Sequence, residues 1–334
     1  MNYFTVPAIS NSSLAYIDPD QGGCPLKMKD YIDGNMKQEK KRFYEVGDAL
    51  HKAILEPGTL IVADFDKPSE KIEEIIDLVT NSLSVGDGMP DISSVRPQIL
   101  EAVKATGYQA NWKDDTRVDK VIELGKDYYN FCLSADGKVA LDLKSKEILD
   151  KMTYAIRTNP ETNQLIEGFE GFERLVEHEI FWEYVSENPK HTFKCKSKLD
   201  LLYINHEKKV FHIVDLKSSA DTLHSYPNKF EEYKYYRQIA FYELAVLYML
   251  EKQGKPGYTC GTHYQVVVEK KGYYNCAPFV ISNLFVNLGR KNISKLFNIL
   301  AHHTQTGNWV YPMMEDGTMK KVIALSPSES ALNK

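Results

Sequence analysis

The hydrophobic period of this chain changes abruptly near Glu177, and that change limits what it can fold into. From about residue 68 to 158, apolar residues recur at helical spacing through KIEEIIDLVTNSL, SSVRPQILEAVKAT, TRVDKVIELGKDYYNFCL and SKEILDKMTYAIRTN. From Glu177 the pattern is strand-like, in EHEIFWEYV, HTFKCKSKLDLLYI and KVFHIVDLKS. A long helical stretch, KFEEYKYYRQIAFYELAVLYMLEKQ, then ends near Gly254, followed by a strand (GTHYQVVVEK) and a last helix (SNLFVNLGRKNISKLFNILAHHTQT). A strand hairpin, a crossover helix and another strand predict an α/β fold, a mixed β-sheet flanked by helices. Before them, Ser10 to Ser13 offer helix caps, and KRFYEVGDALHKAILEP reads as a helix stopped by Pro57.

Composition removes several classes of function. No apolar run approaches the roughly 20 residues of a membrane span, and the first residues lack the basic and apolar regions of a secretory signal, so a cytoplasmic location is expected. Cys24, Cys132, Cys195, Cys260 and Cys276 form no C-x-x-C, which speaks against a zinc knuckle or a clustered iron–sulfur site. A formal net charge of −5 argues against coating nucleic acid through bulk charge. It leaves room for a local basic groove, for which Lys194, Lys196, Lys198, Lys208, Lys209, Lys234 and Arg237 are candidates.

The segment HIVDLKSSAD, residues 212 to 221, sets Asp215 and Lys217 two apart and so on one face of a strand. If His206, Glu207, Lys208 and Lys209 form a four-residue loop, Asn205 faces Val210, and five places back on each arm Asp200 faces Asp215. Directly opposed residues share a face, with Cβ atoms roughly 4.5–5.5 Å apart. Two carboxylates that close repel each other unless a cation lies between them. A divalent metal resolves the repulsion, and hard oxygen ligands favour magnesium, with manganese as a substitute. Lys217 is then placed to orient an attacking water or to steady developing negative charge, the equipment of phosphodiester cleavage. A surface ion pair is the plainer reading of the same residues. The tripeptide also occurs at Asp142, Leu143 and Lys144, but there it leads into a helical pattern with no carboxylate-bearing strand before it, so Asp142 reads as a helix cap. On the helix after the site, Gln238 and Tyr242 are spaced i,i+4 and share a face aimed at the groove beside the metal, as candidate DNA contacts.

Taken together, these blocks resemble the PD-(D/E)XK nuclease superfamily, and within it the RecE-like group, the exodeoxyribonuclease VIII type of phages and prophages. VGDALHKAILEP resembles that group's G-x-A-x-H-x-x-x-L-E-P segment, which maps its site histidine to His51. KEILDKMTYAIRTNP followed by EHEIFW resembles its methionine-containing helix and E-x-S-I-F-W strand, mapping an acidic residue to Glu177, with Glu179 where serine is usual. KCKSKLDLL and HIVDLKSSAD resemble the two metal-binding strands, with lysine and leucine where many relatives have arginine and proline before the aspartate. Gln238 and Tyr242 resemble the Q-x-x-x-Y motif, and GNWVYP a tryptophan-containing terminal block. The resemblance covers roughly residues 10 to 66 and 138 to 312.

It implies a restriction-endonuclease-like fold, here read as a single nuclease domain over residues 1–334 with 160–312 the catalytic core; residues 68–136, which match none of the family's blocks, read as a helical insertion from their apolar pattern. Asp200, Asp215 and His51 would ligate the metal, with Glu177 and Lys217 completing the catalytic set. The activity implied is degradation of one strand from the ends of double-stranded DNA, usually 5′ to 3′, by a ring-like homo-oligomer that cooperates with a single-strand-annealing recombination protein in a bacterial cell. An endonuclease of the same fold, or a non-catalytic DNA-binding assembly protein, are the alternatives.

Overall fold

A computed structural model of the chain describes residues 3, 6–36, 45–83, 90–134 and 140–309. In chain order the first elements are α1 (Asn11–Leu14), α2 (Pro25–Ile32), α3 (Val46–Leu55), β1 (Ile61–Val62), α4 (Glu70–Ser82), α5 (Arg96–Thr106), α6 (Asp114–Ser134), β2 (Ala140–Leu141), α7 (Leu143–Thr158) and α8 (Pro160–Glu167). Then come β3 (Glu173–Glu187), β4 (Lys190–Asn205), β5 (Val210–Ser219), α9 (Tyr226–Glu232), α10 (Tyr235–Lys252), β6 (Thr259–Cys260), β7 (His263–Glu269), β8 (Cys276–Ile281) and α11 (Asn283–Thr306). The main sheet has the order β3-β4-β5-β7-β8, with the short β6 also on β5. Its β5–β7 and β5–β6 pairs are parallel and the rest antiparallel, which is the mixed sheet predicted.

Alternation along each strand decides which layer a side chain joins. Leu202, Ile204, Phe211 and Ile213 share one core with Ile239, Phe241 and Val246 of α10 and with Ile293, Phe297 and Leu300 of α11. Leu201, Tyr203, Val214 and Leu216 belong to the other, with Leu50 and Ile54 of α3, Met152 and Ile156 of α7, and Ile166 of α8. A third apolar cluster lies entirely between Ala63 and Ala140. In it α4 buries Ile72, Ile75, Ile76 and Val79, three and four apart, against α5 and α6. Among the described residues no helix is long and apolar enough to cross a membrane.

The structure departs from the sequence reading in several places. The stretch read as one helix from Lys229 to Gln253 is two, α9 and α10, because Lys234 adopts the left-handed conformation (φ 53°). The cause is remote: Lys234 Nζ lies 2.9 Å from Asp18 Oδ2 and 2.7 Å from Asp20 Oδ2, and Arg237 Nη1 lies 2.6 Å from Asp18. That buried clasp ties the N-terminal segment to the start of α10. It also removes Lys234 and Arg237 from the candidate basic groove. Lys196 is used as well, donating to the carbonyls of Tyr3 and Val6. Residues 41–44 of the first predicted helix, 84–89 and 135–136 of the predicted insertion, and 310–312 of GNWVYP lie outside the described residues.

Between α10 and the strands β6 and β7, Glu243, Cys260 and His263 bring a carboxylate, a thiol and an imidazole within 4.8 Å of one another. Their hydrogen bonds describe a structural network. The Ile213 amide donates to His263 Nδ1 (3.2 Å), so Nε2 carries the ring proton and donates to Glu243 Oε2 (3.1 Å). Arg290 pairs with the other Glu243 oxygen, and burial pushes the Cys260 thiol up to about 12. Burial also pushes His263 down to about 4. An unfolded histidine titrates near about 6.5, so between those values the unfolded chain binds more protons and stability rises with pH. We expect this contribution to be complete above about pH 6.5 and lost as pH falls through about 4, and His263→Gln to flatten the dependence. Urea midpoints at several pH values check it; an unchanged slope in the variant contradicts it.

Candidate active site

The β4–β5 hairpin keeps the counted register for five rungs, from Asn205↔Val210 to Leu201↔Val214. The strands then part. From Val214 onward β5 pairs with β7, and Asp200 uses its side chain in place of the ladder: Oδ2 accepts from the Leu216 amide at 2.7 Å. On its other side, β4 pairs with β3 from Glu173↔Ile204 to Glu187↔Lys190, and the rung missing from that ladder is Glu177 opposite Asp200. Glu177 has φ 48°, a left-handed backbone that costs a non-glycine residue roughly 1–2 kcal/mol. Both ladders are thus interrupted at Asp200.

Three side chains meet at that interruption. His51, on α3, has Nδ1 3.2 Å from Asp200 Oδ1 and 4.0 Å from Glu177 Oε1. One ligand atom from each of His51, Glu177 and Asp200 lies within 4.8 Å of the other two. Lys198, two residues before Asp200 on β4, holds Glu177 Oε2 at 2.5 Å.

Asp215 is 1% exposed and is held by three elements. Lys217 Nζ approaches Oδ1 at 2.9 Å and Oδ2 at 2.8 Å. Gln238 of α10 donates to Oδ1 at 3.2 Å and, through the same nitrogen, to the Tyr242 hydroxyl at 2.8 Å. Gln265 of β7 donates to Oδ2 at 2.9 Å. The Lys217 ammonium also lies 5.4 Å from the centre of the Tyr235 ring. The sequence-derived site residues therefore fall into two adjoining groups: His51, Glu177 and Asp200 around one space, and Asp215, Lys217, Gln238 and Tyr242 beside it.

Electrostatics separate the two aspartates. Burial and the neighbouring Asp200 charge raise the Asp215 carboxyl, against the pull of Lys217. Burial alone would raise Asp200 too, but His51, Lys217 and the Leu216 amide outweigh it and hold Asp200 low. Burial works against the Lys217 ammonium, yet Asp215 and Asp200 keep it above the ordinary lysine range. His51 is raised in the same way, with Asp200 overcoming desolvation. Lys217 is accordingly a cation and hydrogen-bond donor here, not a base.

Reading the sequence missed Gln265, Tyr226 and the hold of Lys198 on Glu177. Gln265 is fully buried and level with Asp215 in the parallel β5–β7 pair. The Tyr226 hydroxyl donates to Gln265 Oε1 at 2.8 Å, which turns the amide so that its NH2 group faces Asp215. The available signal was an amide inside the otherwise apolar run YQVVV. The second Asp-Leu-Lys behaves as a cap: Asp142 Oδ1 accepts from the Ser145 amide at the start of α7, and Lys144 makes an exposed pair with Asp66 at 3.0 Å.

Asp200, Asp215 and Lys217 thus lie together where the strands of a mixed sheet part. The PDDEXK-like domain of unknown function (DUF3799) matches residues 10–311, and this chain belongs to that family. Its membership supports a nuclease. Among solved structures, a "Putative exonuclease" from Eubacterium rectale covers 95% of this chain and 91% of its own, at 11% identity and a TM-score of 0.47. The structure of SSO0001 covers 67% of this chain and 83% of its own, at 11% identity and a TM-score of 0.24. No curated protein matches.

Replacing Gln265 with Leu removes one of the two donors to Asp215 Oδ2, leaving Lys217 as the other, and leaves the buried Tyr226 hydroxyl without its acceptor, at a cost of about 1–3 kcal/mol. We expect a lower urea midpoint for Gln265→Leu and a smaller loss for Tyr226→Phe. Equal midpoints for Gln265→Leu and wild type would show that Asp215 does not depend on this amide.

Proposed function

We propose that the protein is a divalent-metal-dependent exodeoxyribonuclease that hydrolyses phosphodiester bonds from the ends of duplex DNA, in the 5′ to 3′ direction. The observation that carries the reading is the meeting of Asp200, Asp215 and Lys217 where two strand ladders break, with His51 and Glu177 alongside. Exonuclease action and polarity rest on the RecE-like resemblance of the ordered blocks. So do a homo-oligomeric ring, a role in phage-type recombination beside a single-strand-annealing protein, and the reading of residues 160–312 as the catalytic core of one domain.

The donor set fits a hard cation: two carboxylates and one imidazole share a space, with the Asp215 carboxylate next to it. Asp200, Glu177 and His51 would hold the ion, with Asp215 completing the set. Bound there, magnesium or manganese supplies Lewis acidity toward a phosphoryl oxygen and acidifies a water.

The protein's own groups supply the rest. Lys217, kept charged by its carboxylate neighbours, donates hydrogen bonds to the attacking water or to the oxygen on which negative charge develops. Gln238 and Tyr242 form a linked pair beside Asp215, where they can position a backbone phosphate. The strained Glu177 backbone fixes its carboxylate toward His51 before substrate arrives.

Linear duplex labelled at either 5′ or 3′ ends, incubated with and without magnesium, tests the reading, with covalently closed circles as the endonuclease arm. We expect magnesium-dependent release from 5′ ends and intact circles. Asp215→Ala and Lys217→Ala should each lower hydrolysis by about two orders of magnitude or more, while Asp142→Ala and Lys144→Ala leave it near wild type. A folded but inactive Asp142→Ala beside an active Asp215→Ala contradicts the assignment, and full activity in excess EDTA removes the metal.

A further inference from the structure

Beyond the hydrolytic centre, the structure contains a surface suited to a strand of nucleic acid. Lys270 stands three residues past Val267, the parallel partner of Lys217, so roughly 10 Å further along the sheet. Its amide donates to the Ser219 carbonyl at 2.7 Å, fixing the tip of the β7–β8 hairpin to the end of the strand that carries Asp215 and Lys217. A methyl group at Gly47, one turn before His51 on α3, would lie 2.8 Å from Ser218 Oγ and 3.7 Å from Lys270 Nζ. The protein surface therefore runs without a break from His51, over Gly47 and Ser218, to Lys270.

After Lys270 the hairpin tip continues through Lys271, Gly272, Tyr273 and Tyr274. Neither lysine has a carboxylate at ion-pair distance among the described residues; Asp221 lines the neighbouring cavity with Lys271 and Tyr273, and Glu269 and Asp150 are held by other partners. Glu269 accepts from the Leu223 amide at 3.0 Å and from Asn275 Nδ2 at 3.1 Å, and Asp150 pairs with Lys146. Left-handed Gly272 and Tyr274 turn the hairpin so that the Tyr273 side chain stands 92% exposed. Across a cavity of about 760 Å³ stands Tyr154 of α7, 70% exposed. These are the two most exposed tyrosines among the described residues, and both line the same cavity, with Tyr274 at its floor under Lys151.

Single exposed aromatics are ordinary on protein surfaces. Two that face one cavity, reached from the hydrolytic centre across unpaired lysines, form the combination that binds single-stranded nucleic acid: cations tracking phosphates and rings stacking on bases. We propose that the hairpin tip and α7 form a stacking platform for the DNA strand that passes through the site, with Lys270 and Lys271 on its phosphates and Tyr273 and Tyr154 on its bases. This inference rests on the nuclease reading above.

The test is fluorescence anisotropy of a labelled oligothymidylate of about twelve nucleotides, in EDTA so that nothing is hydrolysed. The Tyr154→Ala/Tyr273→Ala protein should bind about tenfold more weakly at unchanged melting temperature, and Tyr273→Trp should bind at least as well as wild type. Lys270→Ala/Lys271→Ala should reduce the slope of log K against log salt by about 1.4. A wild type that hydrolyses duplex DNA while the double tyrosine variant binds within twofold of it overturns the platform alone. A wild type that neither binds nor hydrolyses DNA overturns the nuclease reading and the platform with it.

Discussion

A carboxylate that is almost entirely buried must find its counter-charge and hydrogen bonds inside the protein, and Asp215 finds them on three elements at once. Lys217 comes from its own strand, Gln238 from the helix that crosses over the sheet, and Gln265 from the parallel strand beyond. Leaving such a charge uncompensated costs several kcal/mol. The crossover through α9 and α10 must therefore return β7 in the register that sets Gln265 level with Asp215. The parallel pair, the placement of α10 and the identity of three side chains all depend on that requirement.

Asp200 solves the same problem differently. It stands where β4 has lost its ladder partner on each side, so its carboxylate can turn to the Leu216 amide and to His51. Glu177 pairs with Lys198, Asp215 with Lys217, and the His51 imidazole lies beside Asp200. The proposed metal reading rests on this donor set. The carboxylates of the site are brought together by strand geometry.

What could be read from the sequence was local. The four-residue loop at His206 to Lys209 sets the hairpin register, and the register predicts which residues share a face. The parity that groups Asp200 with Leu202 and Asp215 with Ile213 is legible in the same way. The capping role of Asp142 followed from the helical pattern after it. What escaped was set by contacts between distant parts of the chain. The break at Lys234 depends on Asp18, some two hundred residues earlier, and the same contact neutralises cations that look available in the sequence. The left-handed backbone of Glu177 has no residue signature, since glutamate rarely adopts it. β8 was missed because Pro278 interrupts its pattern, which an edge strand tolerates.

The central claim is that the break in the strand ladders at Asp200 is a metal centre, while the equally compact Glu243, Cys260 and His263 group is not. Crystals soaked in manganese and measured at an energy where that ion scatters anomalously would decide it. The account predicts an anomalous peak among His51, Glu177 and Asp200, and its loss in Asp200→Asn. A peak beside His263 and Glu243, with none at Asp200, would contradict it.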